Sequence, residues 1–159
     1  EGVIATANKK GIPTIVDPKK LNFNSYKNCT IFKPNLAEIK AGMNIEFDAN
    51  NVAEIEKASA ELRTQLAAKG VLLTLSERGI CINSEKGFKH TPAFKCDIID
   101  VSGAGDTVIS VASLCLASAV DYTELSVLST LAGGIVCEQA GVVPINKEKL
   151  LTQAIKQIN

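Results

Sequence analysis

The chain has 159 residues, with 17 acidic and 17 basic side chains and therefore a formal net charge of zero at pH 7. This balance gives no electrostatic reason to expect a nucleic-acid partner, and the longest apolar stretch, residues 108–120, is too short to span a bilayer. We expect one globular domain of ordinary composition, without a signal peptide and without a membrane partner.

The first predicted elements are short. Residues 1–11 have the character of the last turns of a helix that ends at a C-cap glycine, Gly11. The runs 12–16 and 29–32 predict two strands separated by a polar loop, and a helix is predicted from about Asn35.

The longer elements follow. Residues 51–69 carry apolar side chains at spacings of three and four, which predicts an amphipathic helix that Gly70 stops. The remaining predicted elements are a buried strand at 71–75, hairpin strands at 80–83 and 88–91, and helices at about 104–119, 123–139 and 146–158. Strands that alternate with helices indicate an α/β fold with a mostly parallel sheet and helices on both faces.

The cysteines and the histidine limit the kinds of redox, catalytic and metal site that the sequence can form. The five cysteines are widely spaced, form no CxxC pair and lie mostly inside apolar runs, which predicts reduced, buried thiols in a cytoplasmic protein. With His90 as its one histidine, the chain has no means of assembling a histidine-based triad or metal cluster.

The most informative segment is Asp100–Thr107 (DVSGAGDT), which leads into an apolar helix. Glycines at 103 and 105 allow a tight turn that points successive amides into one concavity at the helix start, where negative charge is favoured. Asp106 places a carboxylate where a phosphate would go, which makes sense for a base that takes the proton of an attacking hydroxyl. The alternative is a helix start at which Asp106 merely complements the dipole.

This segment resembles the second signature of the ribokinase-like (PfkB) sugar kinases. The segments VDPK (16–19), KPNLAE (33–38) and TLSERG (74–79) agree in order and spacing with the D-glycero-β-D-manno-heptose-7-phosphate kinases of that family, which are often fused to an ADP-heptose synthase. The resemblance covers nearly all of the chain but only the C-terminal half of the family's kinase domain. It implies a ribokinase-like fold without the N-terminal part that binds the sugar and supplies the lid.

The resemblance implies a reaction as well. MgATP would give its γ-phosphoryl group to the C1 hydroxyl of a heptose 7-phosphate, with Asp106 as the base and the amides of Gly103, Ala104 and Gly105 in the anion hole. The pathway implied is ADP-heptose supply for lipopolysaccharide. Two alternatives remain: another sugar or sugar phosphate as acceptor, or a non-catalytic nucleotide-binding module. We expect a homodimer for the full-length protein and poor turnover from residues 1–159 alone.

The ATP side of the site is implied in the same way. Asn35 and Glu38 would organise Mg²⁺, its waters and the phosphates, although this spacing by itself favours a capping box. Thr74, Ser76 and Gly79 resemble the family's nucleotide loop, and the alternative is a polar turn between a strand and a hairpin.

The remaining site predictions concern the sugar, the adenine and a cation. Lys19 would meet a substrate phosphate, or be solvated beside Lys20. Thr130 and Gly133 border the adenine in the resemblance, whereas small residues in a helix otherwise indicate close packing. The positions at which relatives hold a monovalent cation such as K⁺ match Asp100, Ser102 and Gly141.

Overall fold

The computed structural model describes residues 2–158, apart from the side chains at positions 20 and 158. These residues form two compact units, residues 2–76 with 80–90 and residues 77–79 with 91–158. No helix in the described part of the chain has the length and apolarity that crossing a membrane requires.

The first unit contains the sheet. Its elements are α1 (Gly2–Lys9), β1 (Ile15–Val16), a 3₁₀ segment (Lys20–Ser25), β2 (Ile31–Phe32), α2 (Leu36–Met43), α3 (Val52–Leu66), β3 (Gly70–Thr74), β4 (Ile80–Ser84) and β5 (Gly87–Thr91). The five strands lie in the order β1-β2-β3-β4-β5. Strands β1, β2 and β3 are parallel, and β4 runs antiparallel to β3. The predicted α/β architecture with a mostly parallel sheet is confirmed.

Strands β1 and β2 are shorter than predicted, because side chains replace ladder hydrogen bonds at their beginnings. The Thr14 amide donates to the Thr30 hydroxyl at 2.9 Å, and the Thr30 amide donates to the Thr14 hydroxyl at 3.1 Å. Pro13 has no amide hydrogen to add to the sheet. The predicted strands 12–16 and 29–32 therefore shrink to Ile15–Val16 and Ile31–Phe32.

The core of this unit forms because the central strands are apolar in both alternating sets. Phe32, Val71 and Leu73 belong to one cluster with Ile39 of α2 and Leu62 of α3. In the other alternating set of the strands, Ile31, Leu72 and Ile82 are also at most 2% exposed. Both faces of the central strands are thus withdrawn from solvent, as the pattern of continuous apolar runs predicts.

The predicted end of α3 at Gly70 is wrong. The helix ends at Leu66, and Ala67 adopts the left-handed conformation that closes it, with a φ of 49°. Gly70 is instead the first residue of β3, where it pairs with Ile31 of β2 and Ser84 of β4. A glycine usually takes the left-handed position after a helix, and here an alanine does so three residues earlier.

The second unit is built from α4 (Ala104–Ala117), α5 (Tyr122–Cys137) and α6 (Lys147–Ile158), which confirms the three predicted helices to within two residues at each end. Helices α4 and α5 pack closely, since a methyl group added at Gly133 would lie 3.0 Å from Cγ2 of Val108. The carboxylate of Asp121 caps α5 by accepting the Thr123 amide hydrogen at 2.8 Å. The cap satisfies one of the backbone donors at the start of α5.

The cysteines are free thiols and most of them are buried. Cys29, Cys81, Cys115 and Cys137 are buried, and Cys96 is partly exposed. Burial raises the pKa of the Cys29 thiol to about 11 and that of Cys81 to about 12. These two thiols therefore stay protonated at neutral pH and behave as small apolar side chains.

Candidate active site

The candidate residues are distributed over both units, and the start of α4 in the second unit is the most distinctive place. Gly103 precedes the helix with a φ of +77° in the left-handed region. A Cβ at this position would lie 2.9 Å from Cγ1 of Val142, so the position favours glycine on two grounds. No side chain caps this helix start.

The amides of this first turn are therefore largely available. The Ala104 amide donates to the Val101 carbonyl at 3.2 Å, and its predicted contact with a phosphoryl group stays a prediction. The amides of Gly103, Gly105 and Asp106 have no side-chain cap. Uncapped amides at the positive end of a helix favour an anion.

Asp106 is the acidic residue in the first turn of α4, and its side chain lies on an exposed part of the helix. Its backbone carbonyl accepts a hydrogen bond from the Ser110 hydroxyl at 2.7 Å. The carboxylate therefore stands beside amide donors of its own helix start and is open to a substrate hydroxyl. This is the arrangement that a general base next to an anion site requires.

Asp100 holds the loop that leads into α4. Its Oδ1 accepts the Ser102 amide hydrogen at 2.9 Å, and its Oδ2 accepts the Gly141 amide hydrogen at 2.8 Å. These hydrogen bonds, first those of Ser102 and then that of Gly141, lower the pKa of the Asp100 carboxyl below its ordinary value. The three residues predicted to hold a monovalent cation thus lie together. Oxygen ligands of this kind fit a hard cation, and the role stays a prediction.

In the first unit, Asn35 and Glu38 form a capping box at the start of α2. The Asn35 Oδ1 accepts the Glu38 amide hydrogen at 2.9 Å, and the Glu38 Oε2 accepts the Asn35 amide hydrogen at 2.8 Å. Among residues 2–158, no three His, Cys, Asp or Glu side chains gather in a way that would hold a metal ion directly. Because Mg²⁺ usually keeps several waters beside substrate phosphates, the second carboxylate oxygen of Glu38 fits a water-mediated partner.

Thr74 lies beside Asn35 at the end of β3, where the two residues form an isolated parallel bridge. The Thr74 amide donates to the Pro34 carbonyl at 3.1 Å. Ser76 follows on an exposed 3₁₀ turn and has a left-handed φ of 55°. Of the predicted ATP-binding residues in this unit, the structure thus brings together Asn35, Glu38 and Thr74 and leaves Ser76 on the following turn.

Gly79 belongs to the second unit and has a structural reason to be glycine. Its φ is +92°, and a Cβ there would lie 2.2 Å from the Thr91 carbonyl oxygen and 2.5 Å from the Ala93 nitrogen. The close backbone approach that we expected at Gly79 is therefore made to the chain itself. An additional contact with ATP phosphates stays a prediction.

Thr130 and Gly133 lie in the buried part of α5. The Thr130 hydroxyl donates to the Ser126 carbonyl at 2.7 Å, so it is engaged within its own helix. Gly133 allows the approach of Val108 of α4. The structure thus gives both residues a packing role, and their predicted contact with adenine stays a prediction.

The two lysines that follow β1 and β2 differ strongly in exposure. The side chain of Lys19, which we expected to meet a substrate phosphate, is 80% exposed and lies 3.9 Å from Asp17. Lys33 belongs to the KPNLAE segment but was given no role in the predicted site, yet its side chain is 5% exposed and its Nζ lies 2.7 Å from the Asp17 Oδ1. The sequence feature that could have indicated Lys33 is its position directly between an apolar run and Pro34, where burial of a charge is unusual.

Comparison with solved structures identifies the class of fold. The chain superimposes over 99% of its length on the crystal structure of phosphofructokinase-2 from Escherichia coli in complex with potassium, with a TM-score of 0.89 and 22% identity, and covers 52% of that chain. It superimposes over 97% of its length on ribokinase from Thermotoga maritima, with a TM-score of 0.75 and 22% identity. The fold is therefore that of the ribokinase-like sugar kinases.

The sequence comparison specifies the family. The model of the pfkB family of carbohydrate kinases matches residues 1–149, and the chain belongs to this family. Similar curated proteins are the bifunctional protein HldE of Methylococcus capsulatus, 37% identical over 94% of this chain, and that of Nitrosococcus oceani, 35% identical over 93%. The chain spans 31% of the length of each of these relatives.

Proposed function

We propose that residues 1–159 are the C-terminal, nucleotide-binding part of a kinase that transfers the γ-phosphoryl group of MgATP to the C1 hydroxyl of D-glycero-D-manno-heptose 7-phosphate. Membership of the pfkB family supports the reaction class. The similarity to the bifunctional HldE proteins favours a heptose phosphate over other sugars. The complete protein would then act in ADP-heptose supply for lipopolysaccharide, in the cytoplasm and as a homodimer.

The observation that carries the proposal is the start of α4. Gly103 leaves amides of the first turn uncapped, and Asp106 stands in that same turn. At α5, by contrast, the Asp121 side chain satisfies a first-turn amide. An uncapped start with an exposed carboxylate fits a bound phosphoryl group and a base beside it.

The chemistry that these residues would perform is a single phosphoryl transfer. The Asp106 carboxylate takes the proton of the C1 hydroxyl, whose oxygen forms a bond to the γ-phosphorus while the bond to the β-phosphate oxygen breaks and ADP leaves. The free amides of the α4 start stabilise the charge on the transferring group. When bound, Mg²⁺ neutralises charge on the phosphates, and Glu38 would hold one of its waters.

The test is ATP-dependent phosphorylation by the complete gene product that contains this chain. ADP release would be measured with D-glycero-D-manno-heptose 7-phosphate, fructose 6-phosphate and ribose as separate acceptors. We expect turnover on the heptose phosphate that exceeds turnover on the other acceptors by at least tenfold. Preference for another sugar would retain the kinase mechanism and remove the pathway, whereas MgATP binding without transfer to any acceptor would leave a nucleotide-binding module.

A further inference from the structure

Lys33 is a charged side chain that the proposed reaction does not yet use. The whole residue is 4% exposed, and it follows directly on Phe32, the last residue of β2. Its Nζ lies 2.7 Å from Oδ1 of Asp17, which follows directly on β1. Because Val16 and Phe32 are register partners in the parallel sheet, the pair stands at the carboxyl ends of two neighbouring strands.

Burial of this pair is hard to explain by stability. Withdrawing an ammonium group from water costs several kcal/mol, in order of magnitude, and an ion pair often returns no more than that cost. Well-packed apolar side chains at both positions would usually make a fold equally stable or more stable. Asp17 is still 33% exposed, so the pair lies near solvent on the Asp17 side.

The neighbourhood of the pair is polar in the way that a phosphate site requires. Pro34 separates Lys33 from Asn35, which bridges to Thr74 at the end of β3. The carboxyl ends of β1, β2 and β3 therefore carry Asp17, Lys33 and Thr74. Ligands of open α/β sheets bind outside this edge.

We infer that Lys33 is a phosphate-binding residue of this protein and that Asp17 is the positioning residue that holds its ammonium group. The inference rests on the proposed function and adds to it a fixed positive charge on the first unit. A lysine has three N–H donors, so that Lys33 can keep its ion pair with Asp17 and still donate to a phosphoryl oxygen. The ligand chemistry is a phosphoryl group, carried either by ATP or by a sugar phosphate.

The comparison with Lys19 supports the choice of Lys33. Lys19 is 80% exposed and 3.9 Å from Asp17, so water and salt screen its charge and binding must first immobilise its side chain. Lys33 is already desolvated and held in place, and a charge that is oriented before binding stabilises a ligand more strongly.

The experiment compares Lys33→Met, Asp17→Asn and the double variant in the complete gene product. Methionine keeps the length of the side chain and removes its charge. The double variant leaves no buried ion unpaired, so it tests binding even where a single variant folds poorly. The matched control is Lys40→Met, since Lys40 also forms an ion pair in the first unit, with Glu46 at 3.1 Å. KM for ATP, KM for the acceptor, kcat and the Kd values for MgATP and the sugar phosphate are measured for each.

We expect Lys33→Met and the double variant to raise KM for one phosphate-bearing substrate by about tenfold or more, the scale of one charge-assisted hydrogen bond. Lys40→Met leaves both KM values unchanged. A raised KM for ATP assigns Lys33 to the nucleotide, and a raised KM for the acceptor assigns it to the sugar phosphate. Wild-type KM values in the double variant would overturn the inference and leave the pair structural. If the wild type transfers nothing, the proposed function fails, and unchanged Kd values for both MgATP and the sugar phosphate in the double variant overturn the Lys33 inference separately.

Discussion

The N-termini of α2 and α4 face the same backbone requirement and meet it differently. The first amides of an α-helix have no acceptor within the helix. At α2, Asn35 and Glu38 satisfy donors with their own side chains, whereas α4 begins at Gly103 with no side-chain cap. The difference indicates where a ligand is expected: the first donors of α2 are satisfied by side chains, whereas α4 has donors left for an anion. Substitutions at the two helix starts should therefore change different quantities.

The largest expected effect is on catalysis at α4. Asp106→Asn keeps the size of the side chain and removes the base, and we expect kcat to fall about a hundredfold or more, the scale of general-base catalysis. The measurement is steady-state ADP release by the complete protein. Glu148→Gln is the matched control, because Glu148 is also an acidic residue in the first turn of a helix of the second unit. We expect wild-type kcat for this control, and a loss below tenfold for Asp106→Asn would count against the base.

Gly103→Ala should destabilise the start of α4 through the backbone. Its φ of +77° costs a residue with a Cβ about 1 to 2 kcal/mol, and the contact with Val142 at 2.9 Å adds crowding. Amide hydrogen exchange of the first turn of α4 measures the local loss. Gly105→Ala is the control, because its added Cβ meets nothing within 4 Å and the φ of Gly105 is not positive. Equal exchange rates in both variants would show that neither the positive φ nor the contact with Val142 requires a glycine at position 103.

At the start of α2, where side chains cap the helix, we expect substitutions to change the stability of the helix. Asn35→Ala removes the capping acceptor and should cost about 1 kcal/mol in the local stability of α2, measured by amide exchange at Glu38 and its neighbours. Glu38→Gln retains an oxygen that accepts the Asn35 amide hydrogen, so stability should change by less than about 0.5 kcal/mol.

Glu38→Gln also separates capping from a role towards Mg²⁺. If the carboxylate holds a Mg²⁺ water, the variant needs a higher Mg²⁺ concentration for half-maximal activity while α2 stays as stable as in the wild type. An unchanged Mg²⁺ requirement would leave the capping box as the whole explanation of the Asn35 and Glu38 spacing.

The elements that the sequence predicts best are those with long periodic patterns. Helix α3 and the three helices of the second unit extend over many residues, so their apolar spacing is unambiguous. The 3₁₀ segment Lys20–Ser25 was expected to be a polar loop, because Phe23 is the one buried side chain among residues 21–25 and a single buried residue has no period. The end of α3 was misplaced because an alanine, Ala67, adopts the conformation usually given to glycine.

The residues of the candidate site also differ in how far the sequence predicts them. The glycines and the aspartate of the α4 start could be predicted, since their residue types imply the turn and the charge. Two features could not be predicted: the Ala104 amide donates to the Val101 carbonyl in a local turn that the residue types do not specify, and Lys33 is buried against Asp17, which depends on a tertiary contact. Spacing alone also left Asn35 and Glu38 open between capping and Mg²⁺, and the hydrogen bonds of the structure establish the capping part.

The smallest expected effect concerns the loop that leads into α4 and its dependence on pH. Hydrogen bonds from Ser102 and then from Gly141 lower the pKa of Asp100. A carboxyl with a lowered folded-state pKa stabilises the protein above its unfolded-state pKa, and this contribution disappears as the pH falls through the folded-state pKa. Asp100→Asn should therefore flatten the acid side of the plot of thermal midpoint against pH. Ser102→Ala keeps both amide donors, so its plot should lie between those of the wild type and Asp100→Asn. Parallel plots for all three proteins would show that Asp100 does not couple the loop to pH.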